Sequence, residues 1–349
     1  MQENLPAGDP TPPDGSTSAP VSRTGRHGAA KLLGQLLWGL IVLLLCAVLL
    51  TFTAAGRSAL THALLATPAS YVWFVWRAEN PVCSPWQAAM GLREAYRTSV
   101  TVKESGKTSR LIRIDEQGHQ LWQTPFGQWW YPRGSSEGSI RFSLAQYELA
   151  AYPGLEIWPG DIVLDCGGFV GDWAHWVLRE GAARVVIFEP AAGQIECIRR
   201  NLAGPLQDGR AVLVTKGVWD REEQLTLTHW DDNPAGHSVV DQRSSRGETV
   251  QLTTIDAAVR ELGLTRVDAV KMDIEGAEVR ALRGAWETLN RFRPRLAVAT
   301  EHTADRIQNN RNVIATIGEV APFYASRCGY CVLDRKNRIV PETLYFDPR

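Results

Sequence analysis

The sequence has almost no surplus of charge of either sign, with 37 Lys and Arg against 38 Asp and Glu. Without a basic excess there is no broad electropositive face for a phosphate backbone, so nucleic acid is excluded as the expected partner. Cysteine is sparse as well. Cys46, Cys83, Cys166, Cys197, Cys328 and Cys331 are scattered through 349 residues, a length that needs no disulfide staples, and are expected to be mostly free thiols in a reducing compartment. Cys328 and Cys331 form a lone CxxC with no second pair and no nearby histidine, which argues against a metal or redox centre there. A full GxGxxG run is missing too, which argues against a dinucleotide site. What is present is apolar material for a full core. The 44% hydrophobic content, with 30 Gly and 19 Pro, excludes a chain that is disordered or collagen-like throughout, and the length suggests about two domains.

Composition divides the chain. Residues 1–31 are rich in Pro, Gly, Ser and Thr and predict a disordered leader. Residues 32–55 carry no charge and, at ~1.5 Å per residue, are long enough to cross a ~30 Å hydrocarbon layer, so a transmembrane helix is expected, with the membrane as a partner. Residues 56–94 form a linker, in which the apolar stretch 60–76 closes on Tyr71, Trp73, Phe74, Trp76 and Arg77 as a second membrane or interfacial segment does. Residues 95–155 contain the runs SVTVKE and LIRI, broken by Gly106, Gly118, Gly127, Gly134 and Gly138, and predict a small β-rich subdomain. Its Trp122, Trp129, Trp130 and Tyr131 are expected to pack in core and turns.

From 156 to 349 apolar strands alternate with amphipathic helices, which predicts an α/β domain with a mostly parallel sheet covered on both faces. Strands are expected at 162–165, 185–189, 211–215, 269–273 and 296–300. Helices are expected near 172–180, 192–202, 255–262, 277–291 and 304–319. A polar, turn-rich insertion occupies roughly 221–250, and the final stretch predicts two strands joined by a turn, an antiparallel hairpin closing the sheet.

The chemistry concentrates at predicted strand tips. The first strand runs through Asp165 into the glycine turn Gly167, Gly168 and Gly171, a turn that lets backbone approach a nucleoside-type ligand. A carboxylate at Asp165 disfavours a pyrophosphate and suits a cationic ligand without phosphate, as S-adenosylmethionine is. The next strand ends at Glu189 and Pro190, where a carboxylate can accept hydrogen bonds from both ribose hydroxyls. Asp273, Glu275 and Glu278 share one turn; they form a base, position an acceptor hydroxyl or a divalent ion, or, for Glu275 and Glu278, cap the next helix. Glu301 and His302 fall at the following tip, and an imidazole titrates in the range that can take a hydroxyl proton near neutrality. The expected catalytic residues are therefore Asp273, Glu275, Glu301 and His302, and no metal is assigned.

Taken in order, DCGGFVG, FEP, KGVWD, LTTID, KMDIEGAE and a strand ending TEH resemble the FkbM family of methyltransferases across about residues 160–305. That resemblance implies a Rossmann-like fold with a seven-stranded sheet, S-adenosylmethionine as cofactor, and methylation of a hydroxyl on a glycan, lipid-linked saccharide or secondary metabolite. By motif match Asp165, Gly167 and Gly171 frame the methionine part and Glu189 the ribose, with 216–220, including Gly217 and Val218, near the adenine. Asp273 belongs to both the cofactor and the catalytic sets. His229, Trp230, His237 and Ser238 lie in the insertion and are expected to help cover the acceptor. Bulky Phe169 and the Trp173 and Trp176 pair depart from the family pattern. Because the cofactor is made in the cytosol, the catalytic domain is expected on the cytosolic side of the membrane, anchored by one span or a hairpin. The alternatives are a nicotinamide-dependent oxidoreductase on a similar sheet and an inactive, membrane-tethered binding protein. The sequence sets no oligomeric state.

Overall fold

The computed structural model describes residues 38–39, 75, 78–105, 109–148, 152–229, 236–240, 247–334 and 336–349. The chain divides into two compact units, residues 1–64 and 65–349. Of the first, only Trp38 and Gly39 are described.

The second unit contains helix α1 (Pro85–Ser105), an antiparallel meander of β1 (Arg110–Ile114), β2 (Gln120–Thr124) and β3 (Gly127–Tyr131), and helix α2 (Glu137–Glu148). There follow β4 (Ile162–Cys166), α3 (Asp172–Arg179), β5 (Arg184–Phe188), α4 (Ala192–Asn201), α5 (Ala203–Gln207) and β6 (Ala211–Val214). Short β7 (Gly217–Val218) joins β8 (Glu223–Thr228) and β9 (Gly247–Thr253) in a separate three-stranded sheet. The chain continues through α6 (Ile255–Glu261), β10 (Ala269–Met272), α7 (Glu278–Arg283), α8 (Trp286–Phe292), β11 (Arg295–Ala299) and α9 (Arg306–Val320). It closes with β12 (Tyr324–Cys328), β13 (Cys331–Leu333), β14 (Ile339–Pro341) and β15 (Thr343–Pro348).

The main sheet has seven strands in the order β12-β15-β11-β10-β4-β5-β6. Strands β11, β10, β4, β5 and β6 run parallel, and β15 is antiparallel to both β11 and β12. Alternate residues of a strand face opposite sides, and here both sides are apolar. Leu164, Val186, Val270 and Val298 pack on one face against Ile255, Leu282, Leu289 and Ile317. Val163, Val185, Ile187 and Ala297 pack on the other against Trp173, Val177, Ile198 and Leu202. Burial of both faces is what makes these strands read as continuous apolar runs. The closing hairpin is two nested pairs, β12 with β15 inside the main sheet and β13 with β14 beside it.

The meander lies on the body of the domain. Trp122, Trp129 and Tyr131 are buried with Val170 and Cys197, and Asn201 on α4 bonds both the N–H and the C=O of Trp130. The run SVTVKE, expected as extended, is the last part of α1. That helix is set by its start, where Ser84 and Gln87 cap each other reciprocally and Pro85 takes the first helical position. The helix expected over 277–291 is α7 and α8, parted at Gly284, where a Cβ would stand 2.1 Å from the Trp219 carbonyl oxygen.

Two further expectations are corrected. The transmembrane helix expected at 32–55 lies outside the described residues apart from Trp38 and Gly39. Among the described residues no helix is long and apolar enough to cross a membrane, so the expected membrane anchoring, the membrane as partner and the membrane location with a cytosolic catalytic domain find no support in them. The cysteines are not all free either: Cys83 and Cys328, 245 residues apart, form a disulfide, while Cys166, Cys197 and Cys331 are buried thiols. Cys46 lies outside the described residues.

Candidate active site

A cavity of about 610 Å³ opens at the carboxyl ends of the parallel strands, the edge where open α/β sheets bind ligands. Of the residues singled out from the sequence, Gly167, Glu189, Pro190, Gly217, Val218, Asp273, Glu275, Glu301 and His302 line it, and Asp165, Gly168 and Gly171 do not.

On one side stands Glu189, whose Oε2 accepts from the Phe169 N–H and Oε1 from the Ala191 N–H, each at 2.9 Å. Burial pushes this carboxyl up to about 7, against those amide bonds. Phe169 supplies its N–H from a left-handed backbone with φ 47°, strain of the kind that gathers at functional sites. Gly167 has φ 87°, and a Cβ there would lie 1.9 Å from the Asp273 carbonyl oxygen, so the turns after β4 and β10 meet backbone to backbone. Gly168 and Gly171 serve packing instead, their missing Cβ atoms giving room to Ile187 and Leu202. Beyond Glu189 the wall is apolar, with Pro190, Val218, Leu227, Val239 and Leu252, and carries Gln194 and His237. The Gln194 amide nitrogen lies 3.1 Å from His237 Nδ1, and His237 stacks on His229. Trp230 lies outside the described residues.

Asp165 departs from its expected role. It is fully buried, and Lys271, its cross-strand neighbour on β10, donates to its Oδ1 at 3.0 Å and to the Gly167 carbonyl at 2.5 Å. Its charge is thus compensated within the protein, and Lys271 is the member of the pair that reaches the cavity. Burial pushes the Asp165 carboxyl up to about 6 against the attraction of Lys271. For Lys271 the order reverses: burial alone lowers it, but Asp165 and Asp273 hold the ammonium firmly charged. Asp172, hydrogen-bonded by the Ser143 hydroxyl, adds a second carboxylate to this wall, and burial raises its pKa.

Opposite, the tips of β10 and β11 converge on His302. Its Nε2 lies 3.4 Å from Asp273 Oδ1, 3.4 Å from Glu275 Oε1 and 3.6 Å from Glu301 Oε1. Its Nδ1 lies 3.6 Å from Oε1 of Glu278, which is fully buried and also accepts from the N–H groups of Ile274 and Gly276. Glu278 therefore holds the turn and stands behind the ring, outside the cavity wall. Glu275 sits at φ 55°, and the Ser238 hydroxyl donates to its carbonyl at 2.7 Å. Tyr152 donates to Asp273 Oδ2 at 2.5 Å.

The charges here interact strongly. Burial lowers His302, but Glu278, Asp273, Glu301 and Glu275 outweigh it and push the imidazole up to about 11. A ring that keeps its proton at neutrality is not the base expected from the sequence. Burial pushes Glu275 and Glu301 up to about 8 each. Asp273 stays below its usual range despite burial, because the His302 and Lys271 cations face it.

Tyr152, Asp172, Lys271 and Gln194 also line the wall and were given no role from the sequence, and Trp173, noted there as a departure from the family pattern, lines it too. Lys271 does carry a signal, as a lone cation inside the apolar strand AVKM. Tyr152 carries none, because nothing in its neighbourhood marks the fold that brings it to Asp273, 121 residues away.

Residues 165–332 match the family model of the methyltransferase FkbM domain. Among solved structures the chain is similar to a methyltransferase FkbM from Methylobacillus flagellatus KT, at 16% identity over 74% of this chain and 60% of that one, TM-score 0.42. It is also similar to an O-methyltransferase from Bacillus cereus in complex with SAH, at 11% identity over 59% of this chain and 89% of that one, TM-score 0.34. The chain thus spans less than two thirds of the Methylobacillus protein. Comparison with curated proteins gave no match.

Proposed function

We propose that this chain transfers a methyl group from S-adenosylmethionine to a hydroxyl oxygen of a small molecule or glycan, a reading supported by the match of residues 165–332 to the family model of the methyltransferase FkbM domain. The observation that carries the reading is one cavity joining a backbone-held carboxylate, Glu189, to the His302 cluster at the neighbouring strand tips.

The residues present fit the cofactor. Glu189, with its oxygens already fixed by two amides, accepts from paired ribose hydroxyls. Pro190, Val218 and Leu252 offer an apolar flank for a base, and Asp172 and Asp273 offer carboxylates toward an ammonium group. Gly167 lines the same cavity, its missing Cβ letting the Asp273 turn close against it. When bound, S-adenosylmethionine supplies an electrophilic methyl group on a sulfonium.

The remaining work belongs to the chain. Methyl transfer is an in-line displacement, so holding the acceptor oxygen in a water-poor cleft supplies much of the rate. Asp273, held ionised by the His302 and Lys271 cations, and Glu275 and Glu301, once ionised near pH 8, face the acceptor's O–H, and the hydroxyl proton leaves to an ionised carboxylate of this cluster. Protonated His302 keeps these like charges together. A radiolabel assay with the full chain, methyl-labelled cofactor and an extract of glycans and small hydroxylated metabolites tests this. Label is expected in an acceptor, and Glu301→Gln should cut transfer by about tenfold or more while S-adenosylhomocysteine affinity stays near wild type by calorimetry. Binding of a nicotinamide dinucleotide in place of S-adenosylhomocysteine would overturn the reading.

A further inference from the structure

We propose that the cluster at the tips of β10 and β11 is a divalent-cation site, with Asp273, Glu275 and His302 as its protein ligands. The donor atoms of these three residues all lie within 4.8 Å of one another. His302 Nε2 stands 3.4 Å from one oxygen of each acid. That separation is longer than the ~2.8 Å of a charge-assisted hydrogen bond. It matches two ligands of one ion, which at bonds of ~2.1 Å and tetrahedral to octahedral angles sit roughly 3.0–3.4 Å apart.

A second observation, outside the three ligands, concerns the back of the ring. Glu278 is fully buried, its Oε2 has no hydrogen-bond partner, and neither has His302 Nδ1. Glu278 Oε1 lies 3.6 Å from that nitrogen. A small shift of the ring gives the carboxylate–histidine–metal relay, in which Nδ1–H points to the buried acid and the Nε2 lone pair points forward. Forward of Nε2 stand carboxylate oxygens of Asp273, Glu275 and Glu301; in the ion-free chain the ring's own proton lies between them, and a divalent cation takes that proton's place. Tyr152 already occupies Asp273 Oδ2, which leaves Oδ1 for the ion. Two oxygens and one imidazole nitrogen suit Mn²⁺ or Zn²⁺ better than Ca²⁺, whose sites are all oxygen. All three ligands line the cavity, so an open coordination position faces the acceptor. There the ion holds the hydroxyl oxygen and eases loss of its proton, a role that rests on the methyl-transfer reading above.

The test titrates Mn²⁺ into metal-stripped full chain without methyl donor or acceptor, and follows free Mn²⁺ by electron paramagnetic resonance. One ion per chain is expected, with a dissociation constant below about 100 μM, and His302→Gln and Glu275→Gln should each weaken it by about tenfold or more. Glu319→Gln, at an exposed acid on α9, should leave it unchanged. Pulsed measurements on the wild-type complex should show nitrogen coupling from one imidazole, a readout that depends on no variant folding. Absence of a stoichiometric site up to about 1 mM, absence of the nitrogen coupling, or equal affinity in the two ligand variants overturns the proposal. A chain that binds S-adenosylhomocysteine and transfers methyl but takes no Mn²⁺ sinks the ion alone. A chain that takes Mn²⁺ but binds no S-adenosylhomocysteine sinks the methyl-transfer reading alone.

Discussion

Glu189 shows how a single side chain can trade stability for binding. Its carboxyl is pushed up to about 7 by burial, so the folded chain holds this proton to higher pH than the unfolded chain does. The folded state is therefore favoured most below the ordinary carboxyl range and loses stability as pH rises toward 7. Glu189→Gln should match wild type at pH 4 and be more stable at pH 8 without ligand, by on the order of 3 kcal/mol, measured by denaturant unfolding at both pH values. The same variant should bind S-adenosylhomocysteine about 10- to 100-fold more weakly, because a hydrogen bond to a charged acceptor contributes about 1.5–3 kcal/mol. Equal calorimetric affinities would remove Glu189 from the ribose site. The strand-tip acids are legible in the sequence because parallel strands bring their carboxyl ends to one edge, which places Glu189, Asp273 and Glu301 around one cavity. Asp165 is misjudged because its partner, Lys271, is 106 residues away, and His302 because four acids from two turns set its proton affinity.

Elements are legible where burial and pattern agree. Strands β4, β5, β6, β10 and β11 fall where apolar runs predict them, since nothing competes with two buried faces. The pattern misleads where an element is governed from outside itself. The β-branched alternation of SVTVKE yields to a helix already nucleated at Ser84 and Pro85. The continuous helical pattern of 277–291 yields to Asp256, whose N–H donates to the Gly284 carbonyl and whose carboxylate accepts from the N–H groups of Glu287 and Thr288. The insertion acts at this scale too. Ser238 joins it to the Glu275 turn by a single hydroxyl bond. Ser238→Ala should lower turnover about three- to tenfold, cost about 1 kcal/mol of stability and leave S-adenosylhomocysteine affinity near wild type. Steady-state rates and unfolding curves check it, and an unchanged rate would separate the insertion from the chemistry.

Across the molecule, the Cys83–Cys328 bond ties the segment before α1 to the edge strand β12. A cross-link between such distant positions restricts the unfolded chain, so Cys83→Ser with Cys328→Ser should cost about 2–4 kcal/mol without altering S-adenosylhomocysteine affinity. Reductant should lower the melting temperature of wild type and leave the double variant where it is. Sequence spacing gives no sign of this pairing, because partners 245 residues apart meet only in the finished fold. The place of β15 has a different consequence. It is the last strand of the sheet in chain order, yet it lies between β11 and β12. While the ribosome is still delivering residues 343–348, β11 and β12 each wait with an open rim of amides and carbonyls. The sheet therefore closes only after release of this segment from the exit tunnel, and a nascent chain halted before it is the form most in need of a chaperone.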